Sequence, residues 1–384
     1  MRRTFKWLAM GQRLVGAAAV LLVAAILLIP SLAPWLLRFE HWTADWRTAY
    51  LAKRAPEPST RIALVVITDE TLKDYASSPI DRGLLARIVD AVDAHEPAAI
   101  GIDIFFLKRT DPEKDRALLD ALRRARAPVV LGAIDERGDL QPFQRDFQSW
   151  FLGEAGRPAG YLNLRHESDD VVRYTASPVQ GGAYPESFAR LLAKTVGGRA
   201  LDDAGKPIAW QLPPADGGSA FPTIAAHTLL AAPGVATAPG AAPIPGALRG
   251  RVVLIGGEFP LRDQHRIPLS ARDGKTVAGV FIHASILAGL LDPARAMRVL
   301  TPVMADAVLA GVALLGFVIG WWLRRSPVIG LLGSGFATGL LVAADAACFT
   351  GYNLSLPFTL ALVAWVAGLT AGRFLFPVRS ARIV

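Results

Sequence analysis

Cysteine is almost absent from this sequence. The only one, Cys348, lies in a long apolar run, so no disulfide can stabilise the polar part of the chain. Charge is also scarce, because Asp, Glu, Lys and Arg make up 19% of the 384 residues while hydrophobic residues make up 52% and the mean hydropathy is +0.35. Such a composition argues against a disordered chain and against an ordinary one-domain soluble enzyme.

Catalytic signatures are missing as well. The sequence contains no GxxxxGK[ST] phosphate loop, no HExxH zinc motif, no GxSxG nucleophile elbow and no CxxC pair, and it has only six histidines. These absences remove the commonest nucleotide-dependent, metallopeptidase, hydrolase and redox classes. The sequence therefore predicts that the protein is not an enzyme. It identifies no cofactor and no metal.

What the chain does have is long apolar runs at both ends. Each approaches or exceeds the ~20 residues that a membrane-spanning helix needs. The predicted spans are 14–32, 302–323, 326–350 and 354–372. The sequence thus predicts an all-α membrane region of four transmembrane helices, three of them at the C-terminus.

The basic residues beside these runs predict the orientation. Nine Lys and Arg and no acid flank the spans, in residues 1–13, at Arg324 and Arg325 and in residues 373–384. With those segments in the cytoplasm, residues 33–301 are exported and carry 32 basic and 31 acidic residues. The net charge of +8 is then a topology signal and gives no support to nucleic-acid binding. The expected location is the bacterial inner membrane, with the main domain in the periplasm.

The first span has an alternative interpretation. It could be a cleaved signal peptide with the small-residue site Ser31-Leu32-Ala33. The proline at position 34 and the length of the run favour an uncleaved anchor. Both interpretations place residues 33–301 outside the cytoplasm.

Residues 34–54 carry aromatic side chains at steps of three to four, which is one face of a helix. These are Trp35, Phe39, Trp42, Trp46 and Tyr50. This stalk helix could dock its aromatic face on the exported domain, or it could be a surface for self-association. The spans also contain small-residue pairs that suit helix packing, Gly335 with Gly339 and Gly368 with Gly372. Asp345, near the outer end of its span, is expected to be solvated.

The exported region alternates buried strands and amphipathic helices. Strands are predicted at 61–68, 98–106, 128–134, 208–212 and 251–256, and helices at 83–95, 112–126, 186–196, 224–231 and 279–291. Asp111 followed by Pro112 is a helix-start signal. Strand–helix repeats at this spacing predict an α/β domain with a parallel sheet and helices on both faces.

Polar residues follow three of these strands, and ligands of open parallel sheets bind at the carboxyl ends of the strands. They are Asp69, Glu70, Asp103, Asp263 and His265. Carboxylates with imidazole could bind a divalent metal or perform acid–base chemistry. Alternatively, they cap helices or pair with Arg82 or Arg262. His283 is predicted to be a packing histidine.

Short motifs spread through the exported region give the chain a family resemblance. They are Phe39-Glu40, Asp45-Trp46-Arg47, 66–70 with Leu72, 79–82, 98–105, 169–173, Tyr184-Pro185 with Ser187, 251–256, Asp263, Pro268 and 279–284. Their order resembles the second type of CHASE domain, an extracellular sensory domain associated with bacterial cyclases and histidine kinases. Val171 departs from the family's usual glycine. Three charged residues of these motifs, Arg82, Asp169 and Arg173, complete the candidate ligand-binding set.

The resemblance implies a periplasmic sensor whose signal crosses the membrane, and it does not supply the ligand. Only residues 373–384 follow the last predicted span, which leaves no room for a cyclase or kinase. The main hypothesis is therefore a membrane-anchored sensory module that acts through a partner output protein and can form a homo-oligomer. The alternatives are a structural subunit of an envelope complex and a periplasmic metal-dependent hydrolase using Asp103 and Asp263.

Overall fold

A parallel sheet forms the centre of residues 53–296. The computed structural model describes residues 33–75, 78–198, 202–231, 244–325 and 327–375. They divide into two compact units, an α/β unit (53–296) and a helical unit (33–52 with 297–375). The predicted span at 14–32, the N-terminal segment 1–13 and most of the tail 373–384 lie outside the described residues.

The sheet has six strands, all parallel, in the order β4-β3-β2-β8-β1-β7. The strands are β1 (Ile62–Ile67), β2 (Ala99–Asp103), β3 (Val129–Ala133), β4 (Ala159–Tyr161), β7 (Thr223–Ala225) and β8 (Val252–Gly257). Because β8 lies between β1 and β2, the last strand that the sequence predicts becomes a central strand. This confirms the predicted α/β domain with a parallel sheet.

Helices cover both faces of the sheet. Three helices, α2 (Arg82–Asp93), α3 (Pro112–Arg124) and α4 (Pro142–Ala155), pack on the face that carries Ala63, Val65 and Ile67. The opposite face, with Ile62, Leu64 and Val66, packs on α5 (Phe188–Thr195) and α9 (Gly279–Leu291). The period of two in β1 therefore divides its buried side chains between two cores.

Local signals start several of these helices. The Asp81 side chain accepts a hydrogen bond from the Leu84 N–H (2.9 Å), and Asp111 caps α3 with Pro112 at its first position. Ser187 caps α5, so that helix begins slightly later than the sequence predicts. Helix α4 is not among the predicted helices; Pro142 opens it, and Gln144 Oε1 accepts a hydrogen bond from the Gln141 N–H (2.9 Å).

Other parts of the α/β unit differ from the prediction. The strand predicted at 208–212 is wrong, since the described residues there form only isolated bridges, such as Arg54 with Leu212. The helix predicted at 224–231 is split into β7 and a short α6 (Ala226–Leu230). The remaining elements are α7 (Ile244–Leu248), α8 (Ser270–Asp273), the hairpin β5 (Arg165–His166) with β6 (Val172–Tyr174), and β9 (Gln264–His265) with β10 (Val277–Ala278).

The helical unit contains the C-terminal apolar runs. Its elements are α1 (Ala33–Leu51), β11 (Arg298–Val299), α10 (Pro302–Trp322), α11 (Pro327–Tyr352), β12 (Leu354–Ser355) and α12 (Phe358–Phe374). Residues 302–322 and 328–352 are long and apolar enough to cross a membrane, whereas α12 is shorter. The described residues therefore support two candidate spans, and the predicted count of four is not shown.

Glycines bring α10 and α12 into close contact. A Cβ on Gly316 would lie 2.7 Å from the Trp365 carbonyl oxygen, and Gly368 and Gly372 lie as closely against the backbone of α10. A Cβ on Gly335 or Gly339 of α11 would meet no atom of another element within 4 Å in the described chain. Gly368 and Gly372 thus pack within the chain, while a role of Gly335 and Gly339 in assembly stays a prediction.

The stalk helix α1 turns its polar face towards the other helices. Arg47 Nη1 lies 2.6 Å from Asp345 Oδ1, and these side chains are only 6% and 11% exposed. The two carboxylate oxygens of Glu40 accept hydrogen bonds from the backbone N–H groups of Phe358 (3.0 Å) and Thr359 (2.7 Å). The expectation that Asp345 is solvated is wrong, because a cation about 300 positions earlier in the sequence lies against it.

The aromatic face of α1 is exposed. The rings form a continuous ladder, in which Trp42 meets Trp46 edge-on at 6.1 Å and Trp46 stacks on Tyr50 at 5.3 Å. Trp35 and Phe39 continue the exposed stripe. Both interpretations of this aromatic face, docking on the exported domain and self-association, stay predictions.

Candidate functional site

A cavity of about 410 Å³ lies at the carboxyl edge of the sheet. It opens where β2 and β8 end, beside the loop that follows β4 and the start of α9. Its wall consists of Ser78, Pro79, Ile80, Asp103, Ile104, Phe105, Leu162, Asn163, Leu164, His166, Gly257, Phe259, Arg262, Asp263, His265, Gly279 and His283. Three predicted site residues, Asp103, Asp263 and His265, therefore meet in one place.

Asp103 is the last residue of β2 and borders this cavity. Its Oδ2 atom is shielded from solvent and has no hydrogen-bond partner among the described residues. Burial and the nearby Asp263 carboxylate raise the pKa of Asp103 well above its ordinary value. A carboxyl group in this position either keeps its proton or needs a donor from a bound molecule.

Asp263 connects the cavity to the helix that closes the domain. Its Oδ2 accepts a hydrogen bond from the backbone N–H of Gly279 (3.2 Å), the first residue of α9, and its Oδ1 lies 2.8 Å from His265 Nε2. A Cβ on Gly279 would lie 2.9 Å from Asp263 Oδ2, so glycine permits this approach. Asp263 has a φ of 54°, in the left-handed region.

Three histidines surround the cavity. The rings of His166 and His265 lie 5.1 Å apart, and His166 Nδ1 lies 2.8 Å from Asp170 Oδ1. His283 is 5% exposed and meets the Phe188 ring edge-on at 5.6 Å. Burial lowers the pKa of His283 to about 4, against the opposing influence of Asp263, so this ring is neutral at neutral pH.

Sequence reasoning missed His166 and Asn163 and assigned His283 to packing alone. The packing is present, but His283 also borders the cavity. Neither His166 nor Asn163 follows a strand that the sequence predicted, since both come after the short β4. One signal could have placed His283 at the cavity. It lies four residues into a helix that begins at the edge of the sheet.

Other predicted residues lie elsewhere. Asp69 and Glu70 are exposed after β1, where Glu70 is 3.8 Å from Lys73. Arg173 forms two hydrogen bonds with Asp169 (2.8 and 2.6 Å) in the β5–β6 hairpin, and this contact lowers the pKa of Asp169. Neither member of that pair borders the cavity.

Arg82 is separate from this site. Its side chain is fully buried beneath the start of α2 and borders a second cavity of about 330 Å³. The predicted set is thus divided between the two cavities, the exposed turn after β1 and the β5–β6 hairpin. Within the described parts of the chain, no group of three or more His, Cys, Asp and Glu side chains is placed to hold a metal ion.

Residues 18–321 match the model of the CHASE2 domain, which spans the sheet, the cavity and α10. The chain belongs to the CHASE2 family. CHASE2 domains are extracytoplasmic sensory domains of signalling proteins, and this confirms the resemblance found in the sequence motifs. The two candidate membrane helices indicate anchoring in the membrane. No curated protein and no solved structure matches the chain.

Proposed function

We propose that this CHASE2 chain is a membrane-anchored periplasmic sensor that binds a small amine in the cavity at the carboxyl edge of the sheet. The observation that carries the proposal is the buried Oδ2 of Asp103, which has no hydrogen-bond partner among the described residues. A buried acceptor without a donor is costly, so a ligand that supplies one gains affinity. The volume of about 410 Å³ suits a small organic molecule.

The charges around Asp103 favour a cationic donor. Repulsion from Asp263 contributes to the raised pKa of Asp103, and an ammonium group between them would relieve that repulsion. Ile104, Leu162 and Phe259 supply an apolar wall for the rest of the ligand. An ammonium ion would lower the pKa of Asp103, so binding would release a proton at pH values where the empty domain holds one on this carboxyl.

Asp263 offers a route from the ligand to the membrane. It holds the first N–H of α9, so a ligand that draws this carboxylate away alters the start of that helix. The chain runs from α9 through residues 292–301 into α10, which packs on α12 through the glycines. We propose that an output protein reads the resulting change in the helices, with the exposed aromatic face of α1 as a candidate contact surface.

Binding can be tested with the full-length chain in nanodiscs. Small primary amines and their alcohol counterparts would be titrated by calorimetry in two buffers of different ionisation enthalpy. We expect saturable amine binding with proton release, and a loss of about tenfold or more in affinity in Asp103→Asn. Asp69→Asn is the matched control, since Asp69 is exposed and outside the cavity.

Three outcomes would count against the proposal. Equal weakening by both variants, or no saturable amine binding, would remove the role of Asp103. A fixed stoichiometric partner in native membranes, unaffected by any small molecule, would favour a structural subunit of an envelope complex.

A further inference from the structure

The second cavity of the α/β unit lies between the beginnings of α2 and α3. It holds about 330 Å³ and is lined by Pro79, Asp81, Arg82, Lys108, Arg109, Thr110, Asp111 and Lys114. Four of these eight residues are cationic. None of them belongs to the amine site proposed above except Pro79, which borders both cavities.

Arg82 is the unusual member of this wall. It is 0% exposed, and none of its three guanidinium nitrogens has a hydrogen-bond partner in the described residues. Its charge lies over the rings of Phe106 (4.5 Å) and Phe151 (5.6 Å), and its Nε is 3.7 Å from Asp115 Oδ1. Burial lowers the pKa of Arg82 to about 10, so it stays charged at neutral pH. The planar set of guanidinium N–H donors is therefore shielded from water and makes no hydrogen bond within the described residues.

The acids near Arg82 are already engaged. Asp81 accepts from the Leu84 N–H and binds Lys114 Nζ (2.6 Å). Asp111 accepts from the Glu113 N–H (2.9 Å) at the start of α3. Asp115 accepts from the Thr110 N–H (3.1 Å). Each carboxylate thus has its own donor, and none forms a hydrogen bond with Arg82.

The remaining cations lack acidic partners. Lys108 and Arg109 are exposed on the segment after β2, and neither forms an ion pair in the described part of the chain. Arg109 lies over the Trp150 ring at 4.7 Å, which holds its side chain beside the cavity. Positive charge is therefore in excess here, and Arg82, whose buried guanidinium has no hydrogen-bond partner in the described residues, borders the cavity.

We infer that this second cavity is a binding site for a small oxyanion, a carboxylate or a phosphate, with Arg82 as the main ligand-binding residue and Lys108 and Arg109 as supporting cations. An oxyanion accepts two parallel N–H bonds from a guanidinium, which would satisfy the unused donors of Arg82. Exposed Lys108 and Arg109 would close the outer side. The site does not depend on the proposed amine site, because it does not use Asp103.

The test uses the full-length chain in phosphatidylcholine nanodiscs, in a buffer free of phosphate and at constant ionic strength. Inorganic phosphate and succinate would be titrated separately by calorimetry, so that the two arms identify the preferred oxyanion. We expect saturable binding of at least one of them at millimolar concentration or below. Arg82→Lys, which keeps the charge but loses the fork, should weaken it about tenfold.

Controls separate a specific site from general attraction and from misfolding. Lys108→Ser should weaken binding about threefold without affecting the fold, and it carries the test if Arg82→Lys is unstable. Arg249→Ser removes an exposed cation outside this cavity and should change nothing. Absence of saturable binding by both anions, or equal weakening by Lys108→Ser and Arg249→Ser, would overturn the inference.

Discussion

Acidification should destabilise the α/β unit through His283. The pKa of this buried ring falls from 6.5 in the unfolded chain to about 4 in the fold, so the unfolded state takes up a proton first as the pH is lowered. The contribution of the neutral ring to stability is complete above pH 6.5 and is lost as the pH falls towards 4. Between pH 7 and pH 5 the loss is about 2 kcal/mol.

The assay is urea unfolding of the full-length chain in detergent micelles, followed by tryptophan fluorescence at pH 7 and pH 5. Wild type is compared with His283→Gln, which retains a polar side chain near the Leu162 backbone but does not titrate. The comparison is needed because Asp103, with its raised pKa, opposes the effect of His283 on the same pH axis. The free energy of unfolding of the wild type should fall by about 2 kcal/mol more than that of the variant. Identical pH dependence in the two proteins would refute the reasoning.

Three further substitutions have expected outcomes. Asp103→Asn should raise the urea midpoint at pH 7 and less so near pH 4, because a carboxyl whose pKa is raised in the fold costs stability increasingly as the pH rises above its unfolded-state pKa; a lower midpoint at pH 7 would contradict this. Gly368→Ala should weaken the contact of α10 with α12 by about 1–3 kcal/mol while Gly335→Ala does not, measured as thermal midpoints in detergent. Arg47→Met should cost about 3–5 kcal/mol by leaving Asp345 buried and unpaired, and adding Asp345→Leu should recover most of it in a double-mutant cycle.

The elements that the sequence predicted correctly are those whose apolar period is set within the element. The central strands β1, β2, β3 and β8 are continuous apolar runs because both faces of the sheet are covered. The edge strand β4 has only three residues and includes Gly160, so it carries no such run. Its pairing with β3 depends on partners distant in the sequence.

The Asp103 and Asp263 side of the candidate site could be predicted for a related reason. Asp103 and the loop that holds Asp263 meet because β2 and β8 are adjacent parallel strands, and such strands end at the same edge. Asp69 follows the equally adjacent β1, yet the chain turns sharply there. The Leu72 N–H donates to the Thr68 carbonyl oxygen (3.1 Å), and this turn leaves Asp69 exposed. A strand end therefore identifies an edge of the sheet, while the next few residues decide whether a side chain faces the cavity.

The two proposed sites have a physical reason to influence each other. Pro79 borders both cavities, Ile80 borders the first, and Arg82 borders the second, so one short segment forms part of both walls. An oxyanion that draws Arg82 towards itself acts on the segment against which the amine would rest. We expect the affinities for the amine and the oxyanion to be coupled. Linkage then requires each ligand to change the affinity of the other by the same factor. An amine titration repeated with the oxyanion at saturation should therefore show a shifted dissociation constant, and that shift should vanish in Arg82→Lys.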